Sequence, residues 1–81
     1  MKPGDLIRTT WSGGQECLAL WPESSVRHVP GSKPDSFYTS ELGLVLEYRR
    51  WGDYGEAEVR VLTNRGLFGW IRADYTMRVA R

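Results

Sequence analysis

Two predicted strands joined by a tight turn lie in the stretch EAEVRVLTNRGLFGWI, residues 56–71. Ala57, Val59 and Val61 alternate with charged residues, which is the period-two pattern of a strand that buries one face. The following turn, residues 63–66, contains Asn and Gly, and both residue types tolerate the positive φ angles that tight hairpins require. The apolar residues after the turn predict a partner strand that returns antiparallel to the first.

The rest of the sequence predicts further short strands and no helix. Apolar alternation or β-branched runs, bounded by Gly and Pro, indicate strands at 6–10, 43–49 and 75–80. Residues 15–21 form another predicted strand, although helical spacing also fits a run this short. Between them, residues 22–41 contain three prolines, and we interpret this segment as one long loop. Loops longer than about 12–15 residues are usually functional, so this is a candidate binding region.

The length and composition indicate one small all-β domain. The chain has 81 residues, of which 41% are hydrophobic, and this excludes a disordered chain. A domain of this size buries only roughly 60% of its surface, which leaves little room for a catalytic cleft. Five or six short antiparallel strands either expose long edges or curl closed. We therefore predict a single small barrel over residues 1–81.

Several classes of site have no candidate residues in this sequence. Cys17 is the single cysteine, so an intramolecular disulfide and a cysteine zinc cluster are excluded. His28 is the single histidine, and a catalytic role would require it to meet Cys17 or a serine across the fold. Glu56 and Glu58 share a strand face, which we interpret as solvated. No phosphate-binding motif and no apolar run of about 20 residues is present, so we expect no enzyme activity, cofactor, metal or membrane contact.

The charge distribution leaves a nucleic-acid hypothesis open. The formal net charge is only +1, but five arginines follow position 59 against Asp74 alone. Arg49, Arg50 and Trp51 add the basic and aromatic composition of a platform for single-stranded nucleic acid. Because acidic residues lie nearby in the sequence, this stays the alternative to protein binding.

The C-terminal third resembles SH3 domains. Residues 66–79, GLFGWIRADYTMRV, are similar to the stretch in which a Gly and two apolar residues lead through a short 3₁₀ turn to a Tyr and a final strand. The resemblance implies an SH3-like barrel with a long first loop. In that family the Tyr lines the ligand groove, which implies the same role for Tyr75.

A broader frame resembles short SH3-like proteins encoded by tailed bacteriophages. It comprises residues 4–8, 43–47, 59–62 and 69–71. This resemblance implies a structural or adaptor role, in the virion or in the host cytoplasm. The partner would be another protein, in a larger assembly or as several copies of the chain. A small phage adaptor or inhibitor of one host protein is a further alternative.

Exposed aromatic residues are the predicted protein contacts. Binding surfaces are enriched in amphipathic aromatic side chains and Arg. Trp70 and Tyr48 lie in predicted strands, and we assign them to the core. The predicted protein-binding residues are those in or beside loops, together with the groove tyrosine: Trp11, Phe37, Tyr38, Trp51, Tyr54 and Tyr75.

Overall fold

The computed structural model describes residues 1–10, 16–25, 29–51 and 56–79, with the backbone alone for Trp51. These residues form seven strands in two antiparallel sheets, which confirms the all-β class. One 3₁₀ turn, Ala73–Tyr75, precedes the last strand, and no helix of the described residues is long and apolar enough to cross a membrane. The strands are β1 Leu6–Thr9, β2 Cys17–Leu20, β3 Asp35–Tyr38, β4 Gly43–Trp51, β5 Glu56–Thr63, β6 Phe68–Arg72 and β7 Thr76–Arg78.

The larger sheet has five strands in the order β6-β5-β4-β1-β7. Its hairpin between β5 and β6 closes at the predicted turn: the Gly66 N–H donates to the Thr63 carbonyl at 3.0 Å, and the Thr63 N–H donates to the Leu67 carbonyl at 2.7 Å. Gly66 has a φ of +85°, a conformation that suits glycine. This hairpin confirms the sequence prediction for residues 63–66.

The smaller sheet is a β2–β3 hairpin, and it corrects the prediction that residues 22–41 form one loop. β3 lies inside that range and pairs with β2 from Cys17 opposite Tyr38 to Leu20 opposite Asp35. The sequence of β3 contributes one buried apolar side chain, Phe37, so its alternation is too short to distinguish it from a loop. Pairing with β2 therefore decides the conformation of this segment.

The core lies between the smaller sheet and one face of the larger sheet, here called the inner face. Leu20 and Phe37 come from the hairpin, and their side chains are at most 1% exposed. The cluster is completed by residues of β1, β4, β5 and β6: Ile7, Val45, Val59, Val61 and Ile71. Alternate residues of the same strands point to the opposite face, here called the outer face.

Among the described residues, backbone hydrogen bonds join the two sheets at a single bridge, so the sheets do not close into the predicted barrel. Trp21 and Trp70 form a single antiparallel bridge, with N···O distances of 2.9 and 2.7 Å, next to the end of β2. The backbones approach closely here, since a Cβ on Gly69 would lie 3.0 Å from the Trp21 carbonyl oxygen. In the described residues the sheets are open, and the strands number seven instead of five or six.

A β-bulge in β4 alters the predicted burial of that strand. The register shifts between Val45 and Glu47, and the side chain of Val45 is 1% exposed whereas that of Leu44 is 36% exposed. Beyond the bulge Tyr48 lies opposite the core residue Val59, yet its side chain is 39% exposed, so its assignment to the core was wrong. Trp70 is buried as the sequence predicts, at 5% exposure, but it lies opposite Arg60 on the outer face.

Candidate functional site

The buried carboxylate of Glu58 lies on the outer face of β5. It is 1% exposed, although the sequence predicts a solvated face for this residue and Glu56. The hydroxyl of Ser24 donates to Oε1 and Oε2 at 3.2 and 3.1 Å, and the Ser25 N–H and hydroxyl donate to Oε2 at 2.7 and 2.6 Å. Glu56 is exposed. The prediction fails at Glu58 because the segment after β2 folds over this part of the sheet.

Arg49 provides the opposite charge. Its Nε and Nη2 donate to Oε1 of Glu58 at 3.0 and 2.5 Å, and Nη2 also donates to the Glu23 carbonyl at 3.2 Å. The guanidinium lies 4.1 Å from the centroid of the Trp70 ring, a cation–π distance. Arg49 therefore links the sheet to the segment that crosses it.

The electrostatic balance at Glu58 favours its charged form. Burial raises the pKa of the Glu58 carboxyl, but hydrogen bonds from Ser25, Arg49 and Ser24 together lower the pKa by more than burial raises it, so the pKa lies below its usual range. A carboxylate with a lowered pKa is a weak general base at neutral pH. This cluster is therefore suited to holding residues 21–25 in place.

A pocket of about 220 Å³ lies beside this fixed segment. The Trp21–Trp70 bridge forms one boundary, because β2 and β6 are not paired beyond it. Its walls come from β2, the crossing segment, β6 and the 3₁₀ turn: Leu18, Ala19, Trp21, Ser25, Ile71, Arg72 and Tyr75. The Glu58 cluster thus positions the wall at Ser25, and the bridge to Trp70 positions the wall at Trp21.

Tyr75 and Arg72 form the wall of the pocket nearest the 3₁₀ turn. The Arg72 guanidinium lies 5.9 Å from the centroid of the Tyr75 ring, and Nη2 donates to Asp74 at 3.4 Å. Within the part of the chain that the structure describes, the buried Nε of Arg72 has no hydrogen-bond partner. The wall therefore combines an aromatic ring with a cation.

Strand edges also face one another across the pocket. In an antiparallel ladder, alternate residues direct their backbone N–H and C=O groups to the same side. The backbone N–H and C=O groups of Trp21 point towards β6, and those of Trp70 point towards β2. By the alternation, the backbone of Ala19, two residues before Trp21, also faces β6, and that of Arg72, two residues after Trp70, also faces β2. The site thus offers backbone hydrogen-bonding groups beside an aromatic and aliphatic surface.

A second cluster lies at the turn between β5 and β6. Glu41 accepts hydrogen bonds from the Tyr38 N–H at 3.0 Å and from Arg65 Nε at 3.0 Å, with Arg65 Nη2 at 2.9 Å. Burial raises the pKa of Glu41, but these contacts together lower the pKa by more than burial raises it, so the pKa lies below its usual range. Arg65 also donates to the Ser36 carbonyl at 2.6 Å and lies 4.6 Å from the Tyr38 ring centroid. This cluster joins β3 to the hairpin turn.

The predicted protein-binding residues occupy different environments. Tyr75 lines the pocket, and Tyr38 is 39% exposed and contacts Arg65. Phe37 is fully buried in the core, so it presents no surface to a partner, and this expectation is corrected. The other predicted positions, namely Trp11, Tyr54 and the side chain of Trp51, lie outside the described residues, and so does His28.

The arginines proposed for nucleic-acid binding are partly engaged within the fold. Arg49 pairs with Glu58, and the C-terminal arginines at 60, 65 and 72 pair with Glu47, Glu41 and Asp74. Arg50 is exposed in β4. Three of the five arginines after position 59 therefore have a carboxylate partner, and folding brings the partners of Arg60 and Arg65 close.

Comparisons with known proteins gave no match to a family model, a curated protein or a solved structure. Among the described residues, no group of three or more His, Cys, Asp or Glu side chains could hold a metal ion. The pocket therefore has to be interpreted from its own geometry.

Sequence reasoning missed most of the pocket. Trp21 and Ser25 were not candidate site residues, because nothing local relates them to Glu58, more than 30 positions later. The aromatic type of Trp21 at the end of the predicted strand 15–21 was the available signal. The sequence singled out Arg72 only as one of the five arginines after position 59.

Proposed function

We propose that this chain is a non-enzymatic protein-binding module with an SH3-like topology. The strand order β6-β5-β4-β1-β7 supports this proposal. The β2–β3 hairpin comes between β1 and β4 in the sequence, although β1 and β4 are neighbours in the sheet. The 3₁₀ turn at Ala73–Tyr75 before a short final strand also agrees with the resemblance in residues 66–79.

The position of Tyr75 in the wall of the pocket carries the proposal. The resemblance implies a ligand-groove role for this residue, and the pocket places it with Trp21 and Arg72. Aromatic and Arg side chains are enriched at residues that contribute most to protein–protein binding. A volume of about 220 Å³ matches the side chains of a short segment better than a large cofactor.

The occupant that fits this pocket is an extended segment of a partner protein. Its side chains would contact the rings of Trp21 and Tyr75, and its backbone would bond along the facing edges of β2 and β6, at Ala19 and at the N–H of Arg72. Adding a strand to a sheet edge in this manner is a common mode of peptide recognition.

The concrete role we propose is a structural or assembly component of a bacteriophage virion. Its support is the sequence resemblance in residues 4–8, 43–47, 59–62 and 69–71. One pocket of this size offers a small contact area, so stable association would rely on a larger assembly or on several copies. A phage adaptor or inhibitor that binds one host protein would use the same pocket.

The experiment is co-purification of the tagged protein from its native source after nuclease treatment, with Tyr75→Ala and Tyr38→Ala variants beside the parent chain. We expect a protein partner that survives the nuclease and is lost with Tyr75→Ala but kept with Tyr38→Ala. Tyr38 is the matched control, since it contacts Arg65 and does not line the pocket. Virion proteins among the partners would favour the assembly role, and one host protein in a defined complex would favour the inhibitor.

Loss of every partner with the nuclease would contradict protein binding and favour nucleic acid. Retention of the partner by Tyr75→Ala, in a variant with unchanged melting temperature, would show that the pocket is not the binding site.

A further inference from the structure

A row of apolar side chains crosses the outer face of the five-stranded sheet. Leu6 lies opposite Leu44, Leu44 opposite Leu62, and Leu62 opposite Phe68. These four residues, here called the apolar row, therefore connect β1, β4, β5 and β6 on the face that points away from the core. The ion pair of Arg49 with the buried Glu58 lies on another part of this face and leaves the row exposed.

The apolar row is exposed. The exposed fractions are 39% for Leu6, 36% for Leu44 and 51% for Phe68, and Leu62 is half-buried. Met77, in β7, and Leu42, just before β4, are also exposed, at 41% and 43%. Five of the nine exposed large hydrophobic side chains of the described residues therefore belong to this part of the molecule. Contiguous apolar patches of this kind on soluble proteins mark interaction surfaces.

We propose that a second copy of this chain packs on the apolar row to form a two-fold symmetric dimer. The two-fold axis would run parallel to the strands, between β4 and β5. Leu44 would then face Leu62 of the second copy, and Leu6 would face Phe68 of the second copy. An isologous contact requires such a self-complementary arrangement, and two sheets that pack face to face with their strands nearly aligned satisfy it.

Charge complementarity beside the row favours a second copy over an unrelated partner. Glu47 and Arg60 lie opposite each other on β4 and β5, on the same face as the row, with their charged atoms 3.2 Å apart. Their side chains are 56% and 34% exposed. The same axis places Glu47 against Arg60 of the second copy and Arg60 against Glu47 of the second copy, so each copy supplies one charge to each of two matching pairs.

Phe68 is held in a position to take part. The guanidinium of Arg60 lies 5.0 Å from the centroid of the Phe68 ring, which fixes the ring at the edge of the row next to the charged pair. A dimer through this face leaves the pocket at Tyr75 outside the apolar row. The dimer and the proposed partner site are therefore separate, and each can fail without the other.

The contact area predicts a weak dimer. Adjacent strands are about 4.8 Å apart, so the four strands of the row span roughly 15 Å. A contact of that width falls at the low end of specific protein interfaces. Dimerisation should therefore appear as a monomer–dimer equilibrium that depends on protein concentration.

Sedimentation velocity over the micromolar concentration range tests the dimer, with Leu44→Glu and the control Val29→Glu. Val29 is 44% exposed and lies outside the five-stranded sheet, so its substitution removes comparable apolar surface elsewhere. We expect a concentration-dependent dimer for the parent chain and for Val29→Glu, and a dissociation constant raised about tenfold or more for Leu44→Glu. Phe68→Glu replaces Leu44→Glu if circular dichroism shows that the latter does not fold.

A charge exchange distinguishes the two-fold arrangement from non-specific hydrophobic association. Glu47→Arg should weaken the dimer, and the double variant with Glu47→Arg and Arg60→Glu should restore it, because each copy again carries one charge of each sign. A parent chain that stays monomeric throughout, or a dimer that Leu44→Glu and Phe68→Glu both leave unchanged, would overturn the proposal.

Discussion

The carboxylate of Glu58 accepts hydrogen bonds from both the backbone N–H and the hydroxyl of Ser25, at 2.7 and 2.6 Å, across 33 positions of sequence. Glu58 belongs to β5, whereas Ser25 belongs to a segment without regular secondary structure. The contact therefore transfers the order of the sheet to the segment that forms one wall of the pocket. Stability and the shape of the proposed binding site consequently depend on the same cluster.

Glu58→Gln should destabilise the protein. An amide keeps the shape of the side chain but replaces one acceptor oxygen by a donor, which then meets the donors of Ser25 or Arg49. We expect a loss of about 2 kcal/mol in the free energy of unfolding, measured by urea denaturation. The matched control is Glu56→Gln on the same strand, which should change the free energy by less than about 0.5 kcal/mol. Equal effects of the two substitutions would contradict the role of Glu58.

Acid should destabilise the fold through Glu58 and Glu41. Both carboxyls have a pKa below the usual range when folded, so the unfolded chain takes up protons first, at its ordinary Glu pKa of about 4.3. Their contribution is complete above that pH and is lost as the pH falls through the folded values. Urea midpoints at a series of pH values should therefore decline below about pH 4.3. Glu58→Gln should make this decline shallower, and a flat profile in the parent chain would contradict the account.

Gly69→Ala should weaken the junction of the two sheets. The added Cβ would lie 2.9 Å from the Leu20 Cβ and 3.0 Å from two backbone atoms, which cannot move aside as a side-chain end can. We expect a loss of about 1–3 kcal/mol in the free energy of unfolding. Gly43→Ala is the comparison, because its nearest contact is the Phe37 ring edge at 3.1 Å, and its loss should be smaller. The reverse order would show that β2 does not approach β6 this closely.

Single-stranded oligonucleotides should not bind. Arg49 is committed to Glu58 and Trp70, and Arg60, Arg65 and Arg72 each have a carboxylate partner. Tryptophan fluorescence should therefore stay constant when an oligonucleotide is added at low salt. A fluorescence change that disappears as the salt concentration rises would instead support the nucleic-acid alternative.

Local patterns were sufficient to predict the β5–β6 hairpin, because the alternation and the turn at residues 63–66 both lie within one short stretch. The burial of Trp70 followed from its place in a predicted strand. Local patterns failed at Glu58, since its charge predicts solvent and only the folded chain brings Ser25 and Arg49 to it. They also failed for β3, which owes its conformation to pairing with β2.

The sequence predicted one residue of the pocket. Tyr75 was identified through the resemblance in residues 66–79, whereas its neighbours Trp21 and Arg72 are assembled from distant parts of the chain. The sheets stay open because a single bridge joins them, and Tyr48 is exposed although the bulge after Val45 places it opposite the core residue Val59. Neither the single bridge between the sheets nor the bulge leaves a clear signal in the sequence.

Photocrosslinking from the pocket tests the proposed function most directly. A benzoylphenylalanine is introduced at position 75 in one variant and at position 38 in another, and each is irradiated in the native source after nuclease treatment. The account predicts a defined protein adduct from position 75 and none from position 38. No protein adduct from position 75, in a variant that keeps the melting temperature of the parent chain, would contradict the assignment of the pocket as a protein-binding site.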